Sequence, residues 1–318
     1  MGINTRLDQI IRDPIFTRRL TLLRWSPTDF IYPLDNTILG RFCLQIIPQI
    51  CHKIKWLNLE SSSIERVLLA TDYPNLYGLG LHNVEEKTTM NIFKNETLVS
   101  MLKKQITSLV ITMDNDKLEK IHKDLITPLF LCVVKIFTNL CKLDFNSHCN
   151  GFNGHVYFGT LGQTLSSSTL MELHVNVGSF EYCLFLLDGR FTKLRMFYIT
   201  IPHLFPPPRK ITNNFPGGLF EYVQEISLFD ERPFEHDFFI QISQSFPFLK
   251  KLSLTNETQQ KMKQHEESNN ENENLPIIKF LHLTQFDLLD IHNDYIAQFL
   301  MDTKTCLPID LRLSRVNV

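Results

Sequence analysis

Tyr73-Pro-Asn-Leu76-Tyr-Gly-Leu79-Gly-Leu81 is the stretch that decides the fold. An apolar residue is followed three positions later by a leucine, and three later again by two leucines separated by one residue. Leu79 and Leu81 stand two apart, the period at which strand side chains share a face. The phrase returns as Phe137-Thr-Asn-Leu140-Cys-Lys-Leu143-Asp-Phe145 and as Phe191-Thr-Lys-Leu194-Arg-Met-Phe197-Tyr-Ile199. It returns again as Phe246-Pro-Phe-Leu249-Lys-Lys-Leu252-Ser-Leu254 and as Leu275-Pro-Ile-Ile278-Lys-Phe-Leu281-His-Leu283. Partial copies end at Leu59, Ile111, Val175, Leu228 and Leu313, and Leu20-Thr-Leu22 opens the series.

From Leu59 onward the last apolar positions are separated by 22, 30, 34, 30, 24, 29, 26, 29 and 30 residues. Their mean, about 28, lies at the long end of the range of leucine-rich repeats. One such strand cannot bury its apolar face alone; neighbours stacked in parallel close a continuous core. Between the phrases lie helical patterns: Asn36-Thr-Ile38-Leu39 running on to Phe42, Cys43, Ile46 and Ile47 behind an Asn36 cap; Ile64, Val67 and Leu68 after Ser61-Ser-Ser63; and Ile291, Tyr295, Ile296, Phe299 and Leu300 behind Asp287 or Asp290. Helices are about twice as wide as the spacing of paired strands. The expected fold class is therefore α/β, a curved leucine-rich-repeat solenoid with about ten parallel strands on the concave face and helices on the convex face.

Two stretches interrupt the repeats. Residues 255–274 contain one apolar side chain, Met262, and read as a polar loop insertion. Residues 202–217, with Pro206-Pro207-Pro208 and Asn213-Asn214, read as an extended loop.

Composition narrows the function. The 318 residues carry 32 basic against 34 acidic side chains, a net charge of −2, with 43% apolar residues. This is ordinary globular usage and lacks the basic excess of a general nucleic-acid binder. The start has no apolar run fit for a signal peptide, and the longest one, Leu125–Val134, is too short to span a bilayer. Seven scattered cysteines without a Cys-x-x-Cys pair read as reduced thiols. An intracellular location, cytoplasmic or nuclear, without nucleic acid or membrane partners, is expected; the sequons at Asn95 and Asn256 then carry no glycan.

Catalytic and cofactor motifs are missing: no glycine-rich dinucleotide or phosphate loop, no His-Glu-x-x-His, no Gly-x-Ser-x-Gly. No catalytic residue, cofactor or metal site is expected. The candidate site is the outward side of the strands, where the residues between and just after the leucines project. These are Asn58, Glu60, Gly80, His82, Asp144, Asn146, His174, Asn176, Tyr198, Thr200, Ser227, Phe229, Ser253, Thr255, His282, Thr284 and Arg312. The set is neutral and polar, with Tyr198 and Phe229 on adjacent strands as an aromatic anchor, and it suits a protein partner.

Ile54–Arg66 followed by Tyr73–Leu81, Leu170–Val177, Cys183–Phe191 and the tail from Phe248 to Arg312 resemble a large family of F-box proteins with divergent leucine-rich repeats. The resemblance covers residues 4–313. In that family a three-helix F-box precedes the repeats and binds the Skp adaptor of a cullin ubiquitin ligase, while the repeats capture the substrate. Here only Asn4-Thr-Arg-Leu7-Asp-Gln-Ile-Ile11-Arg-Asp-Pro14 resembles the last F-box helix; the leading Leu-Pro-x-Glu segment and the first two helices have no counterpart. The resemblance implies residues 1–15 as an F-box remnant, with Leu7, Ile10 and Ile11 as the adaptor-binding face, and 16–318 as the repeat domain. It implies a substrate-recognition subunit of an SCF-type ligase or a truncated relative. The alternative is a repeat scaffold or inhibitor that works without the adaptor and without ubiquitin.

Overall fold

The computed structural model describes residues 17–26, 30–84, 92–113, 126–145, 155–156, 165–178, 180–187, 190–201, 219–230, 233–234, 236–260, 277–301, 305–306 and 310–316. They form a mixed α/β structure whose strands are mostly parallel. They divide into two compact units: one reaching His155 and joined by the stretch that ends at Leu170, the other made of Val156 and the chain from Met171 onward.

The N-terminal unit contains β1 (Arg19–Trp25), β2 (Ile31–Pro33), β3 (Trp56–Glu60), β4 (Gly78–His82), β5 (Ser108–Ile111) and β6 (Lys142–Phe145). β2 pairs antiparallel with β1; the others run parallel in the order β1-β3-β4-β5-β6. The register aligns Leu22, Leu59, Leu81, Ile111 and Phe145 in one buried row, and Leu57, Leu79, Leu109 and Leu143 in a second. Each such leucine contributes about 1.5–3 kcal/mol of burial. The connecting helices are α1 (Asn36–Arg41), α2 (Ile47–Ile50), α3 (Ile64–Leu68), α4 (Glu96–Leu102) and α5 (Ile126–Ile136), with a π-helical stretch Phe42–Ile46 between α1 and α2. Ile64, Leu68, Leu98 and Leu102 meet Leu79 and Leu81 around an apolar space of about 10 Å³, too small for a ligand. The apolar run after Leu125 is α5, and Phe130 meets Phe145 edge to face at 5.4 Å.

The C-terminal unit contains β7 (Glu172–Asn176), β8 (Met196–Ile201), β9 (Glu225–Asp230), β10 (Lys251–Asn256), β12 (Gln285–Ile291) and β14 (Asp310–Val316), all parallel and in that order. β11 (Ile278–Lys279) and β13 (Thr305–Cys306) make a separate parallel pair. Helices α6 (Phe180–Leu187), α7 (His236–Ser245) and α8 (Asn293–Ile296) complete it. Phe239 of α7 meets Tyr295 and Phe299, and Phe299 meets Phe286 of β12 at 4.6 Å, joining the helices to the apolar side of the strands.

A hydrogen-bond device recurs at the entry to seven of the strands. One carbonyl accepts the two successive N–H groups that open the next strand. Lys55 O accepts from Tyr77 and Gly78, Tyr77 O from Thr107 and Ser108, and Thr107 O from Cys141 and Lys142, all within 2.8–3.1 Å. In the C-terminal unit Met171, Arg195, Gln224 and Lys250 do the same for the strands opening at Arg195, Gln224, Lys250 and Thr284. The repeated phrase is thus a repeated backbone structure: a turn closed by the leading apolar residue, a shared carbonyl, then the strand.

Three expectations are corrected. The last complete phrase is displaced: Leu281-His-Leu283 is no strand, and the strand is Gln285–Ile291. Two phrases overlap in the sequence, and the fold uses Phe280-x-x-Leu283-x-x-Phe286-x-Leu288, whose four apolar residues are buried while Leu281 is 66% exposed. The caps differ: Asp35 caps α1, accepting from Thr37 N, and His292 caps α8, because β12 continues through Asp290 to Ile291. The polar insertion starts later than residue 255, since Thr255 and Asn256 belong to β10 and Gln260 is buried against Phe234 O and Gln298. Residues 261–274, 202–217 and 1–15, the F-box remnant with Leu7, Ile10 and Ile11 included, lie outside the described residues.

Candidate functional site

Alternation along the strands sends Leu57 and Leu59 inward and leaves Trp56 and Asn58 partly exposed. The outward sides of the strands therefore carry the candidate site, row by row.

In the N-terminal unit the outward side chains of β1, β3 and β4 are tied to one another. Trp56 Nε1 donates to Asn58 Oδ1 at 2.7 Å, and Asn58 Nδ2 donates to Thr21 Oγ1 at 3.1 Å on β1. The Arg19 guanidinium lies 4.8 Å from the indole centroid. The indole occupies the space above Gly78, where a Cβ would stand 1.9 Å from the ring; a Cβ on Gly80 would stand 2.3 Å from Asn58 Oδ1. The two glycines of β4 are thus shelves for the side chains of β3. His82 pairs through Nδ1 with Thr112 Oγ1 at 3.0 Å, and Trp25 packs edge-on against its ring. Asp144 is half-buried on β6. Glu60 is buried: its carboxylate accepts from Ser62 N and Ser62 Oγ, so it holds the turn before α3 rather than facing solvent. Asn146 lies outside the described residues.

In the C-terminal unit two clusters span neighbouring strands. His174 and Tyr198 occupy register-paired positions and stack at 4.0 Å with their planes 16° apart. His174 Nε2 meets Glu172 Oε1 at 2.7 Å, and Tyr198 O–H donates to Glu225 Oε2 at 3.4 Å. Burial pushes the Tyr198 phenol up, with Glu225 and Glu172 adding to it, so the ring stays a neutral donor. Phe229, 40% exposed, sits two strand positions on, beside Thr200, and Ser227 lies between Tyr198 and Ser253 in the register. The second cluster centres on Asp287, which accepts from Gln285 Nε2 at 2.8 Å and Ser253 Oγ at 3.3 Å and pairs with Lys251 Nζ at 3.5 Å.

Asn176 and Ser253 are buried, and His282 and Thr284 stand in the turn ahead of β12 because of the displaced phrase. Arg312 takes the register position beside Asp287 on β14. The sites that sequence reasoning passed over are Trp56, Glu172, Glu225, Lys251 and Gln285, the row one residue before the first buried apolar residue of each strand. Extending the period-two alternation one step back would have found them.

Burial pushes the Cys43 and Cys132 thiols up, away from the thiolate a nucleophile requires. Among the described residues no three His, Cys, Asp or Glu side chains are placed to hold a metal ion, and no helix is long and apolar enough to cross a membrane. No family model, no curated protein and no solved structure matches the chain.

Proposed function

We propose that the chain is a divergent leucine-rich-repeat protein that recognises another protein through the outward side of its strands. In this reading it is the substrate-recognition subunit of an SCF-type cullin ubiquitin ligase. The observation that carries protein recognition is the cluster on β7, β8 and β9: a His174–Tyr198 stack bounded by Glu172 and Glu225, with half-exposed Phe229 beside it. A fixed ring with one polar end, next to an exposed ring and flanked by hydrogen-bonding groups, has the composition of an interface anchor. The stack and its contacts with Glu172 and Glu225 hold these rings, so binding costs little ordering of the surface.

The mechanism is positioning. The sheet side holds the substrate protein, and an adaptor engaged by Leu7, Ile10 and Ile11 brings the transfer machinery to it. No residue of this chain forms a covalent intermediate. The resemblance to F-box proteins supports the adaptor half of the reading, and the repeated strand-entry geometry supports the repeat half. Binding of the purified Skp adaptor by the full chain, against a version lacking residues 1–15, tests the ligase assignment. Binding that disappears with the deletion is the expected result. No binding by either version would leave the adaptor-independent scaffold.

A further inference from the structure

Each repeat phrase places one residue just before its first turn-closing apolar residue, such as Leu76, Ile106 or Leu140, in the turn ahead of the strand. In the N-terminal unit that position is polar and ties the turn to the repeat before it. Asn75 Nδ2 donates to His52 O at 2.6 Å, Asn139 Nδ2 to Lys104 O at 2.7 Å, and Gln105 Nε2 to Tyr73 O. In the C-terminal unit the same position holds Tyr222, Phe248 and His282 on three successive turns, those entering β9, β10 and β12. Tyr222 is 63% exposed and Phe248 46%, and Phe248 stacks with His282 at 5.4 Å. Leu219 and Leu281 add exposed aliphatic surface to the same turns. The exposed charges there are Lys193, Arg195 and Lys250 against Glu221.

On these three turns outward rings stand where polar side chains tie the turns of the N-terminal unit, while the turn entering β8 carries Lys193 at the same position. A row of exposed apolar side chains bordered by charge marks an interaction surface. We propose that the strand-entry rim of the C-terminal unit binds an acidic peptide segment of a protein partner. Its apolar side chains seat on Tyr222, Phe248 and Leu281, and its carboxylates face Lys193, Arg195 and Lys250. A single-stranded nucleic acid fits less well: bases need open aromatic faces, His282 covers one face of Phe248, and Leu281 is aliphatic. This rim is separate from the outward sheet side proposed above, and the inference goes beyond that reading.

The test is selection of a displayed library of short random peptides on the full chain. Selected peptides are then resynthesised and their affinity is measured by fluorescence polarisation, with oligo-dT as a second probe. Three variants serve: Tyr222→Ser with Phe248→Ser, Lys193→Glu with Lys250→Glu, and Tyr198→Ala on the sheet side. All five side chains lie at least partly in solvent, and an unchanged melting temperature verifies folding. The expected result is acidic peptides carrying leucine or an aromatic residue, bound at least about tenfold more weakly by both rim variants and unchanged by Tyr198→Ala. No enrichment, a neutral or basic consensus, indifference to the rim variants, or tighter rim-dependent binding of oligo-dT would each overturn the proposal. Peptides lost only on Tyr198→Ala would also overturn it, while leaving the sheet-side reading intact.

Discussion

The indole of Trp56 lies across Gly78 on the neighbouring strand, in the space that any other residue at position 78 would fill with its own Cβ. Gly78→Ala is expected to displace the ring and destabilise the fold by about 1–3 kcal/mol, the range for overpacking. In the Trp56→Ala background the same change should cost little, because the obstructing ring is gone. Urea denaturation of the four chains of this double-mutant cycle measures the coupling; additive effects would show that ring and glycine do not interact.

Tyr73 opens the deciding phrase and is buried, with its O–H donating to Val67 O at 2.6 Å. Burial first, then Cys43 and Cys51 nearby, pushes its phenol well above the ordinary tyrosine value. An unfolded chain releases that proton near pH 10 while the folded chain retains it. The stability tied to this group is therefore intact below about pH 10 and is lost as pH rises beyond it. Tyr73→Phe should cost about 1 kcal/mol at neutral pH and should flatten the alkaline fall in stability, as read by denaturant melts between neutral pH and the alkaline limb.

Asn95 caps α4, its Oδ1 accepting from Thr97 N and Leu98 N. Asn95→Ala should destabilise the N-terminal unit by about 1 kcal/mol, and Asn95→Asp by much less, because the carboxylate preserves the acceptor. Thermal melts of both variants check this. Equal losses would mean that the amide nitrogen, which reaches towards Glu65, matters more than the cap.

Asp287 gathers three side chains on the outward side of the C-terminal unit: Gln285, Ser253 and Lys251. Asp287→Ala leaves those donors short of an acceptor and should cost about 1–3 kcal/mol, with Asp287→Asn in between. Chemical denaturation of the two variants separates loss of an acceptor from loss of charge.

The alternating leucines made most of the strands legible, since a period of two has one structural meaning once it recurs at a steady interval. Leu57 with Leu59, Leu143 with Phe145, and Leu252 with Leu254 all lie buried as that period requires. The overlap at 275–288 was not legible, because Leu281 and Leu283 satisfy the pattern as well as Phe286 and Leu288 do. Only the shared carbonyl of Lys250, bonded to Thr284 and Gln285, selects the second pair. Outward rows were half legible. Tyr198 and Phe229 follow from the alternation, whereas the Trp56 shelf and the His174–Tyr198 stack depend on which residue stands opposite on the next strand, and register is not written in any single phrase. Glu60 was misjudged for a local reason: Ser62, two residues on, offers its N–H and hydroxyl and draws the carboxylate into the turn.

Photo-crosslinking tests the central claim, that the outward side of the strands binds a protein. Benzoylphenylalanine is placed at Phe229 on β9 in one chain and at the exposed Gln244 on α7 in another, and both are irradiated in cell extract with and without Tyr198→Ala. The account predicts one dominant protein adduct from position 229 that Tyr198→Ala abolishes and that position 244 does not form. The same adduct from position 244, persisting with Tyr198→Ala, or no protein adduct from position 229, would contradict it.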